Sequence, residues 1–291
     1  MEICTASQET LETRVARMLG DTVVRSRTLT GGKMGDVVRI DLQHTGPVVA
    51  KSTSPEARLT LEAVMLRELR ASRMIPVPDV LHAEDDLLVL EFIEGVHLRP
   101  EAERHCGELI ARLHDVRGKA FGFGTDTLNG RIVLPSPWTE SWVAFYREHR
   151  LQFSLALVDR YSPLPPDMRA DLDRVVSRID RLLREPEQPS LVHGDLWAAN
   201  VLSTGDRVTA FLDPSACYSD PEIELAYVDA WGSFGREFWD GYAAHRSIED
   251  GFHQVRKHVY AFYPLLMHVY YFGDRFIPRL QATINALTPH L

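Results

Sequence analysis

The spacing of apolar residues changes character near residue 93, and that change limits what the chain can become. Before it, residues 23–29, 36–42 and 47–52 are short, rich in Val and Ile, and separated by turns that contain glycine. Such a pattern predicts an antiparallel meander. Two more short strands are expected at 80–82 and 87–91, with a helix over 55–72 that Pro76 and Pro78 close off. Ahead of the meander, Leu11, Val15, Met18 and Leu19 take helical spacing and Gly20 supplies a stop. From Glu101 onward apolar residues recur in steps of three and four, over 104–116, 139–158 and 166–185. Short apolar pieces interrupt this rhythm at 190–193, 200–203 and 208–213, after which it returns to helix. The expected fold is therefore α+β and bilobal. A small antiparallel β-rich lobe would occupy 1–93 and a larger, mainly helical lobe 94–291, with a ligand cleft at the joint.

Composition narrows the function classes without choosing one. The 291 residues carry 41 Asp+Glu against 32 Lys+Arg, a formal net charge of −9. An acidic balance argues against nucleic-acid and anionic-membrane partners, which favour a concentrated basic surface, but it leaves room for a small-molecule partner. Cys4, Cys106 and Cys217 are widely spaced with no CxxC, so neither a zinc site nor a disulfide framework is expected. The N-terminus lacks a basic start followed by an apolar run, and no stretch nears the ~20 apolar residues of a membrane span. A reduced, cytoplasmic setting is the expectation.

The chemistry concentrates in Leu191-Val-His-Gly-Asp-Leu-Trp-Ala-Ala-Asn-Val-Leu202, where apolar runs bracket a polar loop. Asp195 and Asn200 lie five residues apart, and a later apolar piece runs directly into Asp213. Singly, each would be read as a turn former or a cap. In this order between buried segments they suit phosphoryl transfer from Mg-ATP. Asp195 would accept or orient the proton of the attacking hydroxyl, while Asn200 and Asp213 offer the hard oxygen ligands that Mg²⁺ takes. Nearer the N-terminus, Gly31, Gly32 and Gly35 fall between two expected strands, where backbone without Cβ can approach phosphates. This turn is neither a Walker A motif nor a GxGxxG opening a helix. Lys51 ends the third strand and would aim its ammonium at the α/β-phosphates. Glu62 is favoured to hold it by its position early in the next helix, with Glu68 as the competing partner.

These parts resemble the protein-kinase-like superfold in its small-molecule branch, with HGDLWAAN where protein kinases have HRDxxxxN and LDP where they have DFG. Within that branch the chain is similar to the fructosamine kinase (ketosamine-3-kinase) family. The likeness rests on His193–Trp197 with Asn200, on Asp213–Ala226 followed by Trp231–Phe234, and on Phe121–Phe123 with Pro137–Leu151. It implies ATP-dependent phosphorylation of the 3-hydroxyl of a ketoamine, a sugar joined to an amine by glycation, as a deglycating repair activity. By motif position Asp195 would be the base, Asn200 and Asp213 the metal ligands, and Lys51 with Glu62 the phosphate-ordering pair. Glu91, Phe92 and Ile93 would form the hinge that meets adenine through the backbone. Trp197 would either stack on the sugar or pack in the core. His193 is read as structural, and Trp138 and Trp142, four apart, as packing residues of one helical face. Lys33 and Met34 in the Gly-rich turn, and Ala198-Ala199 beside Asn200, depart from the family pattern without removing a catalytic group. The alternatives are a kinase of the same fold acting on an aminoglycoside, an amino alcohol or a sugar, and an inactive nucleotide-binding scaffold.

Overall fold

Thr10 and Gly20 bound the first helix, α1 (Leu11–Leu19). The Thr10 hydroxyl accepts from the Thr13 amide at 3.3 Å, and Gly20 ends the helix in the left-handed region at φ +65°. The structure is a computed structural model that describes residues 9–29 and 36–291. After α1 come β1 (Val23–Thr28), β2 (Asp36–Leu42), β3 (Gly46–Ser52), α2 (Leu59–Ser72), β4 (Val80–Ala83) and β5 (Leu87–Glu91). The strands form one five-stranded antiparallel sheet in the order β1-β2-β3-β5-β4, of which β1-β2-β3 is the meander that the sequence pattern predicts.

Alternation along these strands sends side chains to two different destinations. Val38, Ile40, Leu42, Val48, Ala50, Leu87 and Val89 turn to one face and pack with Val15 and Ala16 of α1. Lys51, paired with Val37 on one side and Leu88 on the other, belongs to the opposite face. On that face Leu88 and Leu90 join the large apolar core shared with α2 and the helical part. The helix expected over 55–72 starts only at Leu59. Pro55–Ala57 forms a single 3₁₀ turn, and Arg58 at φ +52° breaks the path before α2.

The remaining chain runs β6 (Val96–His97), α3 (Glu103–Leu113), β7 (Thr127–Asn129), β8 (Ile132–Leu134), α4 (Trp142–Tyr146) and α5 (Phe153–Tyr161). It continues through α6 (Pro166–Ser177), α7 (Ile179–Leu182), β9 (Ser190–Val192), β10 (Val201–Thr204), β11 (Arg207–Phe211) and β12 (Cys217–Ser219). Four helices complete it: α8 (Glu222–Trp231), α9 (Arg236–Ala243), α10 (Lys257–Phe272) and α11 (Ile277–Leu287). The helix expected over 139–158 begins at Trp142, because the Ser141 hydroxyl caps it by accepting from the Ala144 amide at 3.1 Å. Trp138 therefore lies outside the helix and is 37% exposed, with the Lys119 ammonium 4.9 Å from its ring centre. The shared packing face read for Trp138 and Trp142 does not exist; only Trp142 is buried, bonded through its indole N–H to Tyr260 at 2.7 Å. Two small ladders matter most for the site. β9 pairs with β12, and β10 lies between β6 and β11, so the 193–200 loop is clamped by strands at both ends.

Candidate active site

Buried strands dictate the shape of the 193–200 loop. β9 delivers His193 with its side chain fully buried, where its Nδ1 accepts from the Asp195 amide at 3.4 Å. That contact is the backbone hydrogen bond expected of a structural His193, while its Nε2 is buried with no hydrogen-bond partner among the described residues. Gly194 then turns at φ +84°; a Cβ there would lie 2.0 Å from the Ser215 carbonyl oxygen, so only glycine fits. The turn brings Asp195 back toward Asn200, whose amide nitrogen donates to the Asp195 carbonyl at 2.9 Å and to its Oδ2 at 3.1 Å. Among the described residues no hydrogen bond is made to the Asn200 Oδ1. The other oxygen of Asp195 accepts from the Tyr227 hydroxyl at 2.5 Å. Burial pushes the Asp195 carboxyl up to about 6, with the charge of Asp213 acting in the same sense against the bonds from Tyr227 and Asn200.

β11 leads to Asp213, which takes φ +53°, one of three non-glycine residues with positive φ among those described. The Lys51 ammonium donates to Glu62 Oε1 at 2.6 Å and to Asp213 Oδ1. One cation thus joins α2, β3 and the end of β11. Its two carboxylates outweigh the effect of burial and hold the ammonium above its ordinary range. Burial pushes Glu62 up in spite of Lys51, whereas at Asp213 the Lys51 ammonium overcomes desolvation and holds the carboxyl below the usual range. Glu68, the competing partner, is engaged elsewhere and accepts from the Tyr218 hydroxyl at 2.6 Å. The two glutamates are six residues apart, about 240° around the helix, so one side chain that faces Lys51 excludes the other.

The other expected residues divide. Gly31, Gly32 and Gly35 lie outside the described residues. Glu91 donates its amide to the Asp79 carbonyl at 2.9 Å, and its side-chain Oε2 accepts from the Asp79 amide at 3.1 Å. The Phe92 ring is covered by the Arg39 guanidinium at 4.1 Å, and Ile93 is half-buried beside it. Trp197 is 43% exposed next to Asp195, which removes the core reading for it.

Two residues in this site escaped the sequence reading. Glu224 accepts from the Gly194 amide at 2.6 Å and the His193 amide at 3.2 Å, and His114 Nε2 lies 2.9 Å from it. Tyr227, three residues on, meets Asp195. Their only signal is a glutamate and a tyrosine within the otherwise apolar run Ile223–Val228, where buried polar groups require partners.

A lysine on the third strand held by a helix glutamate, opposite an aspartate, an amide and a second aspartate on strand-flanked turns, defines a kinase of the protein-kinase-like fold. A solved aminoglycoside phosphotransferase shares that fold, with a TM-score of 0.68 at 17% identity over 94% of this chain and 97% of that one. A sequence model of the fructosamine kinases matches residues 7–289, and the chain belongs to the fructosamine kinase family. It is 38% identical over 233 residues to a Synechocystis protein named as a probable ketoamine kinase, covering 77% of this chain and 76% of the relative. It is also similar to a solved protein of Thermobifida fusca assigned as a fructosamine-3-kinase, with a TM-score of 0.86 at 26% identity. That likeness covers 96% of this chain and 98% of the other.

Proposed function

We propose that this chain transfers the γ-phosphoryl group of ATP to the 3-hydroxyl of a ketoamine. The observation that carries this reading is the half-buried Asp195 carboxylate, held on both oxygens beside the Lys51–Asp213 pair, in a member of the fructosamine kinase family. Asp195 accepts the proton as the O3–H bond breaks, O3 bonds to the γ-phosphorus, and the bridging oxygen leaves with ADP. Lys51, ordered by Glu62, carries the positive charge for the α/β-phosphates; Gly31, Gly32 and Gly35, which lie outside the described residues, are assigned to the phosphates by their sequence alone. The backbone of Glu91, Phe92 and Ile93 borders the adenine, and Trp197 offers an exposed face to the sugar.

Asn200 and Asp213 suit Mg²⁺ by donor chemistry, an amide oxygen without a partner among the described residues and a carboxylate held ionised. Among the described residues no group of three or more His, Cys, Asp or Glu could hold a metal by itself. That fits Mg²⁺, which takes one or two protein oxygens and completes its shell with phosphates and water. When bound, it neutralises charge on the transferring phosphates.

In this reading residues 1–93 serve the nucleotide and 94–291 the acceptor. The work is done in the cytoplasm, on glycated amines. Phosphorylation destabilises the adduct and returns the free amine, a repair of glycation. No described helix is long and apolar enough to cross a membrane.

ATP consumption measured with fructose-lysine and ribulose-lysine, against a panel of aminoglycosides, amino alcohols and free sugars, tests the proposal. Turnover with the ketoamines and a 3-phosphate seen by product NMR is expected. Turnover confined to the panel sinks the acceptor assignment, and tight ATP binding without any turnover sinks the enzyme reading.

A further inference from the structure

Helix α8 grips the catalytic turn at two levels. Its Glu224, 2% exposed, takes the backbone amides of Gly194 and His193 and is braced from behind by His114, whose Nδ1 lies 2.9 Å from the Tyr242 hydroxyl. Three residues on and so on the same helix face, Tyr227 reaches the side chain of that turn at Asp195. The Asp195 carboxylate consequently has one donor on each oxygen, Tyr227 from α8 and Asn200 from the turn before β10. A carboxylate has about four acceptor positions, so a substrate hydroxyl still has a place on it. What the two donors remove is rotation about the Asp195 side-chain bonds.

Tyr227 itself has little freedom. Its ring is 8% exposed and meets the Trp231 ring edge-on at 5.6 Å. The cavity beside it, lined by Arg150, Gly194, Ser215 and Tyr263, holds about 20 Å³. That is room for roughly one water molecule and not for a sugar. Its hydroxyl is thus committed to Asp195.

We propose that Tyr227 is a positioning residue for phosphoryl transfer: it fixes, from α8, the direction in which the Asp195 carboxylate faces the acceptor hydroxyl. The inference rests on Asp195 being the proton acceptor.

The test is a double-mutant cycle in the full chain, with Tyr227→Phe, Asp195→Asn and the double variant assayed on ATP and the ketoamine that the wild type turns over. Tyr227→Phe is expected to lower kcat about 10- to 100-fold, as for a charged hydrogen bond lost from the reacting group, while both KM values stay within about twofold. On the Asp195→Asn background the same change is expected to alter kcat less than about twofold, because its target is gone. A purely structural tyrosine would instead give the same loss on both backgrounds, and that result overturns the proposal. An unchanged kcat in Tyr227→Phe overturns it too, as does a raised ketoamine KM at constant kcat, which marks a substrate contact. Full turnover in Asp195→Asn alone would bring down the base assignment, a failure separate from a silent Tyr227→Phe. Tyr227→Met serves in the same cycle if the phenylalanine variant does not fold.

Discussion

The Lys51 ammonium donates to the carboxylate of Asp213, 162 residues away in sequence, and so ties the third strand of the N-terminal sheet to the turn after β11. The same nitrogen is 2.6 Å from Glu62 on α2. Two successive elements, β3 and α2, therefore share one charge with the remote turn after β11.

Replacing Lys51 with Met leaves two carboxylates facing each other, one of them buried. The variant is expected to raise the KM for ATP at least about tenfold, lower kcat about 10²-fold, and lose about 1–3 kcal/mol of stability. Steady-state kinetics and urea unfolding check all three, and an unaltered KM for ATP would remove Lys51 from the phosphate site.

Asp195→Asn keeps the shape but offers one acceptor oxygen in place of two, and it cannot accept a proton. A fall in kcat of about 10³-fold is expected, with the KM for ATP changed only a few-fold. The folded-state pKa of Asp195 is raised, so its ionised form costs stability that is fully present below the unfolded value and lost as pH rises through about 6. The asparagine variant should hence melt no lower than wild type at pH 7.5.

That raised value also sets the pH profile. Below about 6 Asp195, the proposed base, is protonated, so kcat/KM is expected to fall tenfold per pH unit there and to level off above it. An acid limb near pH 4, where an unperturbed aspartate titrates, would contradict the burial argument.

Gly194→Ala places a methyl group against the Ser215 carbonyl in a left-handed turn. We expect a loss of about 2–4 kcal/mol, from strain of about 1–2 kcal/mol and the backbone shift that relieves the clash. Activity should drop more than about 10²-fold, since the amides held by Glu224 move with the turn. Calorimetry and turnover on the purified variant decide it.

Trp197→Ala removes an exposed ring from beside the base. The KM for the ketoamine should rise about tenfold while the KM for ATP and the melting temperature stay put, because an exposed side chain contributes little to the core. A large drop in melting temperature with intact ketoamine affinity would assign the ring to packing.

Much of this site is written in local patterns. Lys51 is next to last in an apolar strand, Asp195 and Asp213 follow the ends of buried strands, and Asn200 directly precedes one, so chain position singles them out. Glu62 is preferred to Glu68 by its position early in α2, and the six residues between them put the two on different sides of the helix. Tyr227 and Glu224 were not legible for a different reason. Each acts across about 30 residues of chain on a target that only tertiary packing supplies, and inside an apolar helix they read as ordinary substitutions. Trp138 failed similarly: a spacing of four implies a shared face only if one helix holds both ends, and Ser141 starts that helix too late.

Asp213 joins two requirements that are usually met by different residues. Its backbone at φ +53° suits glycine, asparagine and aspartate, the residues that enter the left-handed region most readily. Its side chain must carry a full negative charge opposite Lys51, which suits aspartate and glutamate. Only aspartate belongs to both sets. Asparagine here would keep the backbone and lose the charge, and glutamate would keep the charge and strain the backbone, so neither meets both requirements.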